Sequence, residues 1–167
     1  MDEKIETTEL LRLVQERGYF VAKTPLAETG GHYPLDLTRW SGDKYRFGVV
    51  SDTHLCSRYQ TISPLRTFYR ICQKRGIRTI MHAGDLVDGQ KIYRGQEYEV
   101  FVHGADAQRK YAVEHYPKFK GMQTRVLSGN HDASFMRETG YDIVAAICEE
   151  REDMEYVGST LAFVEFK

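Results

Sequence analysis

Phe47-Gly48-Val49-Val50-Ser51-Asp52-Thr53-His54-Leu55 is the stretch around which the rest of the chain is arranged. A Val-rich apolar run leads straight into a polar tip, the pattern of a strand buried on both faces of a parallel sheet. Side chains alternate along a strand, so Asp52 and His54, two apart, are expected to point the same way. That places a carboxylate and an imidazole together at the carboxyl end of a strand, where open α/β sheets hold their ligands. Asp and His converging there suit a borderline divalent metal, although a polar strand end with a capping Asp accounts for the same residues.

Two later stretches repeat the design. Ile77-Arg-Thr-Ile-Met-His-Ala-Gly-Asp85 reads as a second buried strand followed by a Gly turn and a carboxylate. Met122-Gln-Thr-Arg-Val-Leu-Ser-Gly-Asn-His-Asp132 is a third strand and Gly turn, carrying Asn130, His131 and Asp132. Chance supplies one such ending readily, but three in order point to a common site.

The ordered set Asp52-Thr53-His54, Gly84-Asp85 and Gly129-Asn130-His131-Asp132 resembles the calcineurin-like metallophosphoesterase superfamily, over residues 46 to 132. The resemblance implies an α/β fold, a mostly parallel sheet with flanking helices, as part of a four-layer α/β/β/α sandwich. It implies that Asp52 and His54 hold one metal, that Asp85 bridges two, and that Asn130 holds the second. It assigns His131 to proton donation or transition-state stabilisation, with Asp132 orienting its ring. The cofactors implied are two divalent ions (manganese, iron, zinc or similar) in a complete domain. The family also carries a further His and a Gly-His-x-His segment, whereas no histidine follows His131 in this chain. The expectation is therefore an amino-terminal piece of an enzyme or a shortened relative, incomplete at its carboxyl end, holding one metal and inactive by itself.

The chemistry explains the residue types. A phosphate ester is anionic and resists hydroxide, so its hydrolysis needs charge neutralisation and a nucleophile at neutral pH. Two divalent ions about 3.5–4 Å apart supply both. A bridging carboxylate lets two cations approach closely, and a neutral Asn oxygen leaves the site positive toward substrate. An oriented imidazole suits a general acid.

Composition sets the outer bounds. A chain of 167 residues is long enough for one domain that buries roughly 70% of its unfolded surface. A net charge of −1 gives no bulk electrostatic reason to expect nucleic acid, so such binding would need a local patch. Cys56, Cys72 and Cys148 are odd in number and lack metal-ligand spacing, which fits reduced thiols in a cytoplasmic protein. With no signal-like or membrane-length apolar run, the chain reads as soluble, with no membrane partner.

Residues 1–45 are expected to form an amino-terminal appendage and linker, and 46–167 the metallophosphoesterase domain. A helix from Thr7 or Thr8 to Arg17, then a strand at Tyr19-Phe20-Val21, would pack on the catalytic sheet. With Arg12, Arg17 and Lys23 nearby, the alternative is a nucleic-acid-binding module. Residues 24–45, rich in Pro and Gly, read as a loop, with Trp40 packed and His32 at the surface. Ser63 is expected to cap a helix whose Leu65, Phe68, Tyr69 and Cys72 form the buried stripe and whose end is Gly76. Strand, helix and strand then make a right-handed βαβ unit.

His82 is expected to be a satisfied core residue, and Cys56 a buried hydrophobe. Asp88 is either a support for a ligand or a turn former beside Gly89. Tyr93 and Arg94 read as solvated loop residues, with contact to a substrate phosphate or base as the alternative. Helices are expected over 105–116 and 141–149, and 154–157 with 160–166 as a strand pair. The function expected is metal-dependent hydrolysis of phosphoesters, of diester type and with nucleic acid among the candidate substrates. A non-catalytic scaffold retaining the fold is the reading from another class.

Overall fold

The computed structural model describes residues 32–35 and 44–166. The helix and strand expected before residue 24, with Arg12, Arg17 and Lys23, and the position of Trp40, lie outside the described residues. Among the described residues, α-helices and strands run in the order β1 (His32–Leu35), β2 (Gly48–Val50), α1 (Ile62–Lys74), β3 (Thr79–His82), α2 (Ala105–His115), β4 (Gln123–Leu127), α3 (Ala133–Thr139), α4 (Ile143–Glu149), β5 (Met154–Gly158) and β6 (Phe163–Phe166).

Strands β2, β3, β4 and β5 form a parallel sheet in that spatial order. Each crossover carries at least one helix, as parallel neighbours require. The register pairs Val50 with His82 and His82 with Val126, so all three strand ends meet one edge. The turns bearing Asp52, Asp85 and Asn130 therefore emerge side by side. The expected α/β fold with a parallel sheet and flanking helices is what the chain adopts.

Helix α1 forms where the stripe places it: Leu65, Tyr69 and Cys72 are buried and Phe68 packs against them. Its amino-terminal boundary differs from expectation. The cap position is Thr61, without a side-chain cap bond, and Pro64 sits inside the first turn. Gly76 ends the helix at φ +71°, and the Ile77 N–H returns to the Cys72 carbonyl at 2.9 Å. One core joins α1, α2, α3 and α4 to Ile80, Val126 and Met154 of the sheet. Gly48 is part of this packing, because a Cβ there would stand 2.6 Å from Ile80 Cδ1 and 2.8 Å from the Phe68 ring.

Three local expectations are corrected. β2 is an edge strand, not one buried on both faces: Val49 is 57% exposed. Residues 32–35, expected as loop, form β1 and pair in parallel with β6. β5 and β6, expected as partners, belong to separate sheets. A two-stranded β1–β6 ladder is thus present beside the main sheet. Leu161, Ala162 and Val164 bound a hollow of about 240 Å³ over the sheet face formed by Val49, Met81, Arg125 and Leu127. Helix α3 has no counterpart among the expected elements, being a short segment that follows directly on the third turn. Among the described residues, no helix is long and apolar enough to cross a membrane.

A buried arginine fastens the lower end of the fold. Arg151 donates to the carbonyls of Val113, Tyr116 and Pro117 at 2.9–3.1 Å and pairs with Asp153 at 2.6 Å. It thereby ties the end of α2 to the entry of β5. Replacing Arg151 by Met strands three carbonyls and a carboxylate, so a loss of about 3–5 kcal/mol is expected. Urea unfolding checks this through a lowered midpoint at unchanged slope.

Candidate metal centre

Strand β2 stops at Val50, and the chain then enters a strained turn. Asp52 (φ 54°), His54 (φ 42°) and Asp85 (φ 55°) all adopt the left-handed region. Such conformations cost about 1–3 kcal/mol each for non-glycine residues and persist only where surrounding bonds impose them. Those bonds are present. The N–H groups of Asp52, His54 and Leu55 donate to the carbonyls of Gly84, Asp85 and Leu86 at 2.9–3.1 Å, and Asp88 N–H returns to Leu55. The first two turns therefore run zipped together beyond the regular sheet. Asp52 and His54 meet because the turn is kinked, and not through the strand alternation expected from their spacing.

The third turn is locked onto the second by Asp132. Its carboxylate, 2% exposed, accepts from the N–H groups of Leu86 (3.2 Å), Val87 (2.9 Å) and Gly129 (2.8 Å). This corrects the role inferred for Asp132, since the His131 ring is oriented by another group. His131 Nδ1 donates to the Asp88 carbonyl at 2.7 Å, and its main-chain N–H donates to Asp85 Oδ1 at 2.9 Å. Gly129 permits the contact: a Cβ there would collide with the Asp85 carboxylate and main chain.

Two overlapping groups result. His54, Asp88 and His131 present ligand atoms within 4.8 Å of one another, as do Asp52, His54 and Asp85. His54 belongs to both, with Nε2 3.7 Å from Asp52 Oδ1 and Nδ1 3.2 Å from Asp88 Oδ1. The His54 and His131 rings stand edge to face, 4.5 Å between centres. His54 Nδ1 is buried and makes no hydrogen bond of good geometry, its one close oxygen being Asp88 Oδ1 at 3.2 Å. An orphaned imidazole nitrogen facing a carboxylate, among strained acidic tips, is a donor set that fits a divalent cation.

The chain matches the calcineurin-like phosphoesterase family over residues 45–163. The chain belongs to that family. A search of curated proteins returned no match. For this phosphoesterase domain, the family points to metal-dependent hydrolysis of phosphate esters.

The turns of the domain thus bring together Asp52, His54, Asp85 and His131. Asn130 lies on the same turn as His131, exposed to solvent. Sequence reasoning placed Asp88 only beside the site, whereas its carboxylate faces both histidines. The spacing Gly84-Asp85-x-x-Asp88 was the available signal, since one tight turn can return both carboxylates to one side. Gln96 was missed altogether. Buried, it donates to the Asp88 carbonyl (2.7 Å) and to Asp88 Oδ2 (3.2 Å), while its Oε1 accepts from Ile92 N–H. A glutamine eight residues on in a loop carries no sequence signal for this. Cys56 is a buried core residue whose thiol burial pushes up to about 12, which makes it inert.

His82 is satisfied, as expected. Gly84 N–H donates to its Nδ1 (3.3 Å), which leaves the proton on Nε2 to bond Thr53 Oγ1 (3.0 Å). Thr53 in turn donates to the Leu86 carbonyl (3.0 Å). This relay links the first two turns through a neutral imidazole. Charge on the ring would break it, and burial lowers its pKa from 6.5 to about 4, against a weaker opposing pull from Asp52. For His54 the Asp88 carboxylate is the main cause of a raised pKa, opposed by burial. Burial also pushes Asp132 up to about 6, against the lowering effect of its three N–H bonds.

A depressed imidazole pKa gives stability that is complete above pH 6.5 and is lost as pH falls toward 4. Relative to His82→Gln, the native protein should therefore lose on the order of 3 kcal/mol of unfolding free energy between pH 7 and pH 4. Asp132 has the opposite sign but is common to both proteins. Denaturant titrations at both pH values measure the difference, and a pH-independent gap would contradict neutral burial of His82.

Proposed function

We propose that the domain hydrolyses phosphodiesters by a two-metal mechanism. The observation that carries this reading is the Asp52, His54 and Asp85 donor group at the tips of adjacent parallel strands, with the His131 ring 4.5 Å from that of His54. Asp52, His54 and Asp85 would hold one divalent ion, and Asp85 with Asn130 a second beside it, as the family resemblance implies. Bound there, such ions neutralise phosphoryl charge and make water acidic enough to attack.

The chain's own residues supply the rest. Asp88 holds His131 through its main-chain carbonyl, so the ring keeps one orientation with Nδ1 committed as a donor. The other nitrogen, Nε2, can then deliver a proton to the leaving oxygen, in the manner of a positioned general acid. Asp88 Oδ1 lies 3.8 Å from His131 Nδ1, on the side of the ring away from the proton-delivering nitrogen. Gln96 keeps Asp88 in place, and Asp132 keeps the His131 turn against the Asp85 turn.

A diester is favoured over a monoester by charge. The cleft beside the site, about 290 Å³, includes the carboxylates of Asp88 and Glu99. A monoester brings a second negative charge to these groups, whereas a diester brings one. A larger hollow of about 490 Å³ lies near Arg66, Arg70 and Arg151 but holds none of the clustered ligands.

With manganese, hydrolysis of bis(p-nitrophenyl) phosphate should exceed that of p-nitrophenyl phosphate and stop on chelation. His131→Ala should lower kcat by about 10²–10⁴-fold while circular dichroism and unfolding midpoint stay native-like. Metal titration by calorimetry should show manganese binding that is lost in Asp52→Ala. Absence of metal-dependent turnover, or an unaffected kcat in the His131 variant, would defeat the reading.

A further inference from the structure

Two exposed tyrosines flank the metal centre and have no role in the core. Tyr59 is 73% and Tyr93 45% exposed, and both line the cleft that contains His54, Asp88, His131 and Glu99. They come from distant loops that the fold deliberately joins. Arg58 N–H donates to the Glu99 carbonyl (2.9 Å), Phe101 N–H donates to the Cys56 carbonyl (2.9 Å), and Ser57 bridges Val100. The loop after the first turn is thereby stitched to the segment following Tyr93. Tyr93 is fixed further, since its hydroxyl donates to Glu99 Oε2 at 2.5 Å and its ring lies 6.4 Å from that of His131. A water-facing aromatic ring fixed as Tyr93 is loses little entropy when a flat ligand stacks on it, and Tyr59 stands across the same cleft.

Resting on the phosphodiester reading above, we propose that Tyr59 and Tyr93 form a stacking site for one unpaired nucleobase next to the scissile phosphate. The substrate class is then a nucleoside phosphodiester. The phosphate would face His54 and His131, and the base the tyrosine rings, with Glu99 available to accept from a base N–H. Stacking on tyrosine accepts any base, because each presents a π-face. Glu99 in the same cleft disfavours a second phosphate at that position, which limits the site to one nucleotide unit.

The test uses the 167-residue chain with manganese and two esters sharing a leaving group, thymidine 5′-(p-nitrophenyl phosphate) and methyl p-nitrophenyl phosphate. The nucleoside ester should show the higher kcat/KM, mainly through a lower KM. In Tyr59→Ala/Tyr93→Ala the ratio of the two kcat/KM values should fall about tenfold or more. Tyr59→Phe/Tyr93→Phe, which keeps the rings and loses the Glu99 bond, should retain most of the ratio. An unchanged ratio in the double alanine variant overturns the proposal. Turnover of single-stranded oligothymidylate or of a cyclic mononucleotide supports it and names the source of the base. Cleavage of duplex DNA at the single-strand rate overturns it, because a paired base cannot reach the rings.

If neither ester is hydrolysed, the hydrolase reading fails and binding decides the tyrosines separately. Fluorescence anisotropy in calcium would compare a labelled oligothymidylate with an abasic strand of equal length. Tighter binding of the base-bearing strand, lost in the alanine variant, upholds the stacking site. Equal binding of both strands rejects it.

Discussion

The Asp132 carboxylate is the interaction on which the site depends. By accepting from Leu86, Val87 and Gly129 it joins the turn after β4 to the turn after β3, and it does so in the protein interior. A buried carboxylate is expensive to ionise, and three amide donors are what make the charge tolerable there. Without that clamp, His131 and Asp85 would sit on independent loops. With it, the His131 main-chain N–H reaches the Asp85 carboxylate, and the Asp88 carbonyl reaches the His131 ring.

A second fastening works between the first two turns. The main-chain bonds from Asp52, His54 and Leu55, and the Thr53–His82–Gly84 relay, hold three residues in left-handed conformations that isolated peptides avoid. Strain and like charge accumulate at this edge because the rest of the sheet over-determines it. The α1–β3–β4 core below, with Tyr69 bonded to Tyr116 and Thr124, has no such conflicts. The division is physical: a well-packed apolar base supports a polar rim that would not hold itself together.

The long segment between β3 and α2 holds only one 3-10 turn, Gln96–Tyr98, and is organised largely by polar side chains. Gln96 gathers Asp88 and Ile92, and Gln108 accepts from Gly89 N–H and donates to the carbonyls of Gly89 and Val102. Both glutamines are buried. Such side-chain-to-backbone bonds satisfy main-chain groups of a loop that meets the first turn only through isolated bridges at Val87 and Val100. They also deliver Tyr93 and Glu99 to the mouth of the site.

Much of this was legible in the sequence. Three apolar runs each ending in a polar turn identified the strands, the shared edge and the family, because burial and turn chemistry are local properties of residue type. The α1 stripe and its Gly76 stop were legible for the same reason. Asp132 was misread because its neighbour His131 suggested a pair, while two of its three amide partners lie some 45 residues away. Asp88 and Gln96 were undecidable or invisible, since a side chain's partner across a loop leaves no periodic trace. The pairing of β1 with β6 likewise joins segments 131 residues apart, which no local pattern records. Residue type and spacing alone determined which groups could bind a metal and on which strands they ride. Only the tertiary structure decided which of them meet and which hold the others in place, because hydrogen-bond partners across turns are set by how the chain packs in three dimensions.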